Sequence, residues 1–321
     1  MNQQFAVSVK VAGVGIRFIS DSETDISNLS HLFRHHLCSE PGTYYPVEIC
    51  AVTKNVIPRD ARTVWKGFYH GIGKPEDGLH NVVNKFVSAD GSTEYFLTDS
   101  GECICNDLPG NKTVCSVIKR RAFFRRCWER SYVGNVINLL IHIVMARHRR
   151  YSLHASAVVW RGRAIVFTGL SGRGKSTLST DLVARGAGFL GDDLVFLYQH
   201  NGEPRIASLL FDAKLFESST KDKDFIDILE RYHREAIDNV PLQAIAEICL
   251  TKEGASTVES VTDDDRMLSV ILQAANNIAL QYDHDDWMTL CANVMAHYHL
   301  YTFHFGDRKL LKADILDRFY E

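Results

Sequence analysis

The sequence predicts an α/β protein in two parts: a smaller strand-rich α+β N-terminal domain over residues 1–132 and a phosphate-loop domain over residues 151–321, joined by a helix at 133–150. Three observations predict it. The 321 residues, 45% of them hydrophobic, suffice for roughly two domains that each bury a core. Turn signals at Asp90-Gly91, Ser100-Gly101 and Pro109-Gly110 divide residues 43–118 into short runs rich in β-branched and aromatic side chains, which reads as a small antiparallel region. The third is the run Gly169-Leu170-Ser171-Gly172-Arg173-Gly174-Lys175-Ser176, which fits G-x-x-x-x-G-K-[ST] between a strand signal and a helix signal.

Along the chain, Phe5 to Val11 and Val14 to Ile19 read as strands divided by Ala12-Gly13, and the acidic stretch Asp21 to Asp25 caps a helix through Leu32. The basic run Lys119, Arg120, Arg121, Arg125, Arg126 and Arg130, interleaved with Phe123, Phe124 and Trp128, reads first as a solvated helix face, with a binding patch for an acidic partner as the alternative. From Val133 to Arg150 apolar residues recur at helical spacing, and Arg147, His148, Arg149 and Arg150 are cations suited to a helix C-terminus. Ala157 to Trp160 and Arg163 to Thr168 are strand signals around Arg161-Gly162, after which strand and helix signals alternate as in an α/β domain. Ser218 to Asp224 reads as an exposed loop.

Composition excludes several classes. Lys plus Arg total 36 against 39 Asp plus Glu, so with a net charge of -3 there is no global attraction to nucleic acid or anionic lipid. The N-terminus lacks the pattern of a secretory signal and no apolar stretch is long enough for a membrane span, so a cytoplasmic location and no membrane partner are expected. Eight scattered cysteines read as free thiols; Cys103-Ile104-Cys105 is not followed by a second pair at zinc spacing. His31, His35, His36, His297, His299 and His304 are assigned surface or core roles, because no carboxylate or cysteine set lies near them in sequence.

The chemistry concentrates around the glycine-rich run. Glycines allow a tight turn whose N–H groups face phosphate oxygens, the helix N-terminus adds its dipole, Lys175 reaches the β and γ oxygens, and Ser176 ligates Mg²⁺. A nucleoside triphosphate is therefore the expected ligand, held by Gly169, Ser171, Gly172, Arg173, Gly174, Lys175, Ser176 and Thr177. Further on, Phe189-Leu190-Gly191-Asp192-Asp193-Leu194-Val195-Phe196-Leu197 reads as one apolar strand carrying two adjacent carboxylates that face opposite sides, one of them beside Mg²⁺. Upstream, Leu153-His154-Ala155-Ser156-Ala157 places a histidine at the start of the strand pair that leads to the loop.

In order and spacing, residues 153–158, 169–177 and 191–195 resemble the C-terminal catalytic domain of HPr kinase/phosphorylase and related proteins, whose core is akin to the nucleotide-binding part of phosphoenolpyruvate carboxykinase. The resemblance spans approximately residues 150–310. It implies ATP and Mg²⁺ as cofactors, Ser176 and Asp192 as metal ligands, and Asp193 as the proton acceptor for a hydroxyl. His154 is implied to orient or charge-balance the aspartates, and Lys175 to bind the phosphates. Pro241 to Leu250, Trp287 to His297 and His299 to Phe305 look like the usual ending of such kinases.

Two departures shape the expected acceptor. Thr177 stands where the bifunctional family has glutamate, and the Glu-apolar-Arg-Gly stretch is absent, its nearest counterpart being Glu247-Ile248-Cys249-Leu250. Both point away from HPr itself and from phosphorolysis, toward relatives that phosphorylate a serine of a peptide or small protein. The region 211–240, with Lys214, Lys221, Lys223, Arg231 and Arg234, is a place for acceptor contacts or a solvated charged helix. The resemblance also favours a homo-oligomer. A kinase of a free amino acid or sugar and a nucleotide-binding regulator remain the alternatives; a transport ATPase is disfavoured because no L-S-G-G-Q segment follows the loop.

Overall fold

The structure, a computed structural model, describes residues 4–40, 42–52, 57–68, 82–98, 101–118, 132–170, 172–210, 213–216, 223–251, 253–275 and 284–321. The chain divides into two compact units, the first drawn chiefly from residues 14–148 and the second chiefly from residues 149–321.

In the first unit, β1 (Phe5–Val11) and β2 (Val14–Ser20) are joined at Ala12-Gly13, where φ is +50° and +75°, the left-handed pair that matches strand twist in a two-residue hairpin. Helix α1 (Glu23–Leu32) starts at Ser22, whose side chain accepts the Asp25 N–H. There follow β3 (Tyr45–Val52), β4 (Arg62–Phe68), β5 (Val82–Val87), β6 (Thr93–Thr98), β7 (Cys103–Asp107) and β8 (Lys112–Ile118). Among the described residues they form one sheet in the order β1-β2-β3-β8-β7-β6-β5-β4. This is not the purely antiparallel region expected: β3 runs parallel to both β2 and β8. For β2 and β3 the reason is α1, a helical crossover that returns the chain to the same end of the sheet before β3 begins. Cys103 is buried and its thiol pushed up to about 12 by burial; no metal-binding cluster occurs among the described residues.

Helix α2 (Tyr132–Arg147) ends three residues before Arg150, because Arg149 adopts φ +59°. Of the expected terminal cations only Arg147 lies in its last turn. Residues 136–146 are buried on every side, Asn138 and His142 included, so α2 is a core helix and not an amphipathic one. The basic run at 119–130 lies outside the described residues.

His36 is also buried, with its Nδ1–H donating to the Lys10 carbonyl at 3.2 Å. Burial, assisted by neighbouring His35, pulls its pKa down to about 4. The folded state thus binds this proton less readily than the unfolded chain, and the stability present above pH ~6.5 is lost as pH falls toward 4, by about 2–3 kcal/mol. Denaturant titrations of the wild type and His36→Gln at pH 7 and pH 4.5 should show a shallower pH slope in the variant; equal slopes would assign the loss to other groups.

The second unit contains β9 (Tyr151–Leu153), β10 (Ser156–Trp160), β11 (Arg163–Thr168), α3 (Lys175–Ala184), β12 (Gly188–Gly191), β13 (Val195–His200), β14 (Glu203–Ser208), β15 (Ala213–Phe216) and β16 (Lys223–Ile226). It continues with α4 (Ile228–Arg231), β17 (Val240–Leu250), β18 (Thr257–Val261), α5 (Asp264–Ala274), α6 (His284–His297) and β19 (His299–Phe305). The expected strand-helix alternation holds around α3 and again from β16 to β17 and from β18 to β19; from β12 to β16 strand follows strand. The sheet is mixed. Three parallel strands, β11, β17 and β19, form its centre; on one side β10 runs antiparallel to β11 and β12 antiparallel to β10, and on the other β18 runs antiparallel to β19. The first residues of β17 also pair with β14, which continues to β13 and β9. Lys223 and Asp224, expected in a loop, lie in β16, and the rest of residues 218–224 lies outside the described residues.

The core against α3 joins Leu178, Leu182 and Val183 to Phe167, Phe303, Phe305 and Phe319. Burying side chains of this size contributes roughly 1.5–3 kcal/mol each, which clamps α3 onto the sheet. Among the described residues no helix is long and apolar enough to cross a membrane.

Candidate phosphate-binding site

The loop between β11 and α3 grows from buried Thr168, whose hydroxyl donates to the Ala246 carbonyl across the parallel pair. Gly169 adopts φ +128°, which side chains disfavour. Gly174 precedes the helix at φ +92°, and a Cβ there would press on the Phe305 ring at 3.3 Å. Between them the Arg173 N–H closes a turn onto the Leu170 carbonyl. The Leu178 N–H donates to the Gly174 carbonyl as the helix opens, leaving the first-turn amides of residues 175–177 with no intrahelical acceptor. Lys175 is 7% exposed, and its Nζ donates to the carbonyls of Gly169 at 2.8 Å and Leu170 at 3.3 Å. Gly172 and Arg173 are exposed at the turn, and Ser171 lies outside the described residues.

The aspartates do not lie within one strand. β12 ends at Gly191 and β13 begins at Val195, so Asp192 and Asp193 form a bend between two strands. The expectation that they alternate across a pleat is therefore wrong. Two local features break the strand: Gly191 packs so tightly on the Ser208 side chain that no Cβ fits, and Asp193 is left-handed at φ +69°. The bend sends the carboxylates different ways. Asp192 hydrogen-bonds to Ser176 in the first turn of α3, and its Oδ1 is buried without a hydrogen-bond partner. Burial, followed by the charge of Asp193, raises its pKa to about 6, opposed by Ser176, His154 and Lys175.

Asp193 turns outward, its Oδ1 lying 2.9 Å from Nδ1 of His154. The histidine is held by its own backbone, whose N–H donates to the Ala274 carbonyl at the end of α5. Four of the expected side chains thus form two contacts, Ser176 with Asp192 and His154 with Asp193, with the Lys175 charge close enough to act on Asp192.

Other expectations fare differently. His304, expected to lie apart from carboxylates, has Nε2 3.3 Å from Glu259; the pairing of β18 with β19 brings them together across 45 residues, beyond what local spacing reveals. Arg234 donates to the Val183 carbonyl behind α3, and Arg231 lies over the Tyr232 ring, so these two have structural partners. Glu247 sits opposite Thr168 in the β11–β17 register and 3.6 Å from Arg266, which also donates to Thr302.

Sequence reading missed one feature at the loop. Arg308 makes a two-point ion pair with Asp181 through Nε at 2.6 Å and Nη2 at 2.7 Å. The helical spacing of Thr177, Asp181 and Arg185 was the available signal, since it puts all three on one face of α3.

No family model matches the chain, and no curated protein matches it. Among solved structures, the chain is similar to the Hpr(Ser) kinase/phosphatase from Coxiella burnetii, at 14% identity and a TM-score of 0.32, over 53% of this chain and 93% of that one.

Proposed function

We propose that this protein is an ATP- and Mg²⁺-dependent kinase that transfers the γ-phosphate to a hydroxyl, that of a serine in a peptide or small protein. The observation that carries the reading is the convergence on the first turn of α3 of an inward carboxylate beside Ser176 and an outward carboxylate beside His154. The first-turn amides and Lys175 suit a polyphosphate. Ser176 and the partnerless Asp192 Oδ1 are hard oxygen donors of the kind Mg²⁺ prefers, and they would hold it there. When bound, the ion neutralises charge on the phosphate oxygens.

Asp193 is half exposed, at 49% of its side chain, where an acceptor can reach it. It accepts the hydroxyl proton as the acceptor oxygen bonds to the γ-phosphorus and the bond from phosphorus to the β,γ-bridging oxygen breaks, releasing ADP. His154 holds that carboxylate in line. The protein's contribution is positioning and charge stabilisation, which suits the loose transition state of phosphoryl transfer.

The test is incubation with ATP labelled at the γ-phosphate, Mg²⁺, and a serine-containing peptide library, read by mass. Label on a serine is the expected result. Label on a free amino acid or sugar moves the acceptor to a metabolite, and release of free phosphate alone makes the protein a nucleotide-driven regulator.

A further inference from the structure

A recess of about 680 Å³ opens beside the phosphate loop, on the face of α3 away from the aspartates' contact with Ser176. Gly174, Thr177 and Asp181 form one wall; Phe305, Arg308 and Lys309, at the end of β19 and in the turn beyond it, form the other. The volume lies in the range of small-ligand sites, and the recess is continuous with the loop glycines that would carry the phosphates.

Its most specific feature is Arg308. The bidentate pair with Asp181 fixes the guanidinium plane, while 61% of the side chain remains exposed. Arg185 braces the same corner by donating to the carbonyls of Asp181, Arg308 and Leu311. A fixed, planar cation open on one side is a stacking surface for an aromatic ring. The backbone of the turn offers a ring edge few donors. The Gly306 N–H is committed to the Ser256 hydroxyl, that of Asp307 to the Gly254 carbonyl, that of Lys309 to the Asp307 carboxylate and that of Leu310 to the Asp307 carbonyl.

We infer that this recess takes the nucleoside of the triphosphate, with the purine stacked on Arg308 and recognised by its face and not by its edge. The inference rests on the kinase reading above, because the phosphates must lie in the loop for the nucleoside to fall here.

The experiment compares ATP, GTP and inorganic tripolyphosphate by calorimetry on the wild type, Arg308→Ala and Arg308→Lys, with thermal melts as a folding check. Both variants should bind ATP and GTP about five- to tenfold more weakly, the lysine failing because it keeps the charge but not the plane, with tripolyphosphate affinity unchanged. The wild type should bind ATP and GTP within about threefold of each other, because every base presents a π-face. Wild-type ATP affinity in Arg308→Lys, an equal loss for tripolyphosphate, or a preference between ATP and GTP above about tenfold each overturns the inference. If the wild type binds neither ATP nor tripolyphosphate, the phosphate-loop reading fails and takes this one with it; retained tripolyphosphate binding isolates a failure to the recess.

Discussion

Asp193→Asn is expected to slow phosphoryl transfer by about 10³-fold at saturating ATP while leaving ATP affinity within about twofold, since a positioned general base contributes roughly 10²–10⁴. Asparagine is the informative replacement for two reasons. It keeps an oxygen that can face His154 Nδ1, and it tolerates the left-handed φ of +69° better than other side chains do. Alanine would combine loss of the carboxylate with backbone strain. The measurement is a single-turnover rate beside a calorimetric titration. A rate within tenfold of wild type removes Asp193 from the chemistry.

The second large effect is on binding. Lys175→Met keeps the length of the buried stem and removes the ammonium, and ATP affinity should fall roughly 30- to 100-fold, the range for losing charge-assisted hydrogen bonds to phosphate oxygens. Transfer should fall with it, since the proposed reading sets the same cation against the reacting phosphate. Unchanged ATP binding, with a melting curve like that of the wild type, would show that the phosphates lie elsewhere. The pair of variants separates two roles: position 175 governs affinity and rate together, position 193 rate alone.

Much of this site was legible in the chain because its determinants are local. The glycines, Lys175 and Ser176 lie within eight positions, and strand, turn and helix signals follow one another there without interruption. Asp192 and Asp193 stand out in the sequence as charge in an apolar run, but their geometry was misjudged. Nothing in the run announces a left-handed residue or the close packing of Gly191 on Ser208, which comes from a strand more than fifteen residues away. The parallel centre of the sheet was hidden in the same way: β11, β17 and β19 are separated by some 70 and 50 residues, and their adjacency follows from long-range packing that periodicity does not encode. The Asp181–Arg308 pair, 127 residues apart, belongs with them.

One consequence follows from the two backward hydrogen bonds of Lys175. Its ammonium already has oxygen neighbours in the loop, so an arriving anion must exchange neutral carbonyl acceptors for charged phosphoryl ones. On the proposed reading, orthophosphate, able to make one such exchange, should bind more weakly than three linked phosphates, which spread the exchange along the loop. The side chain that keeps the loop in shape between visitors would then also gauge their length.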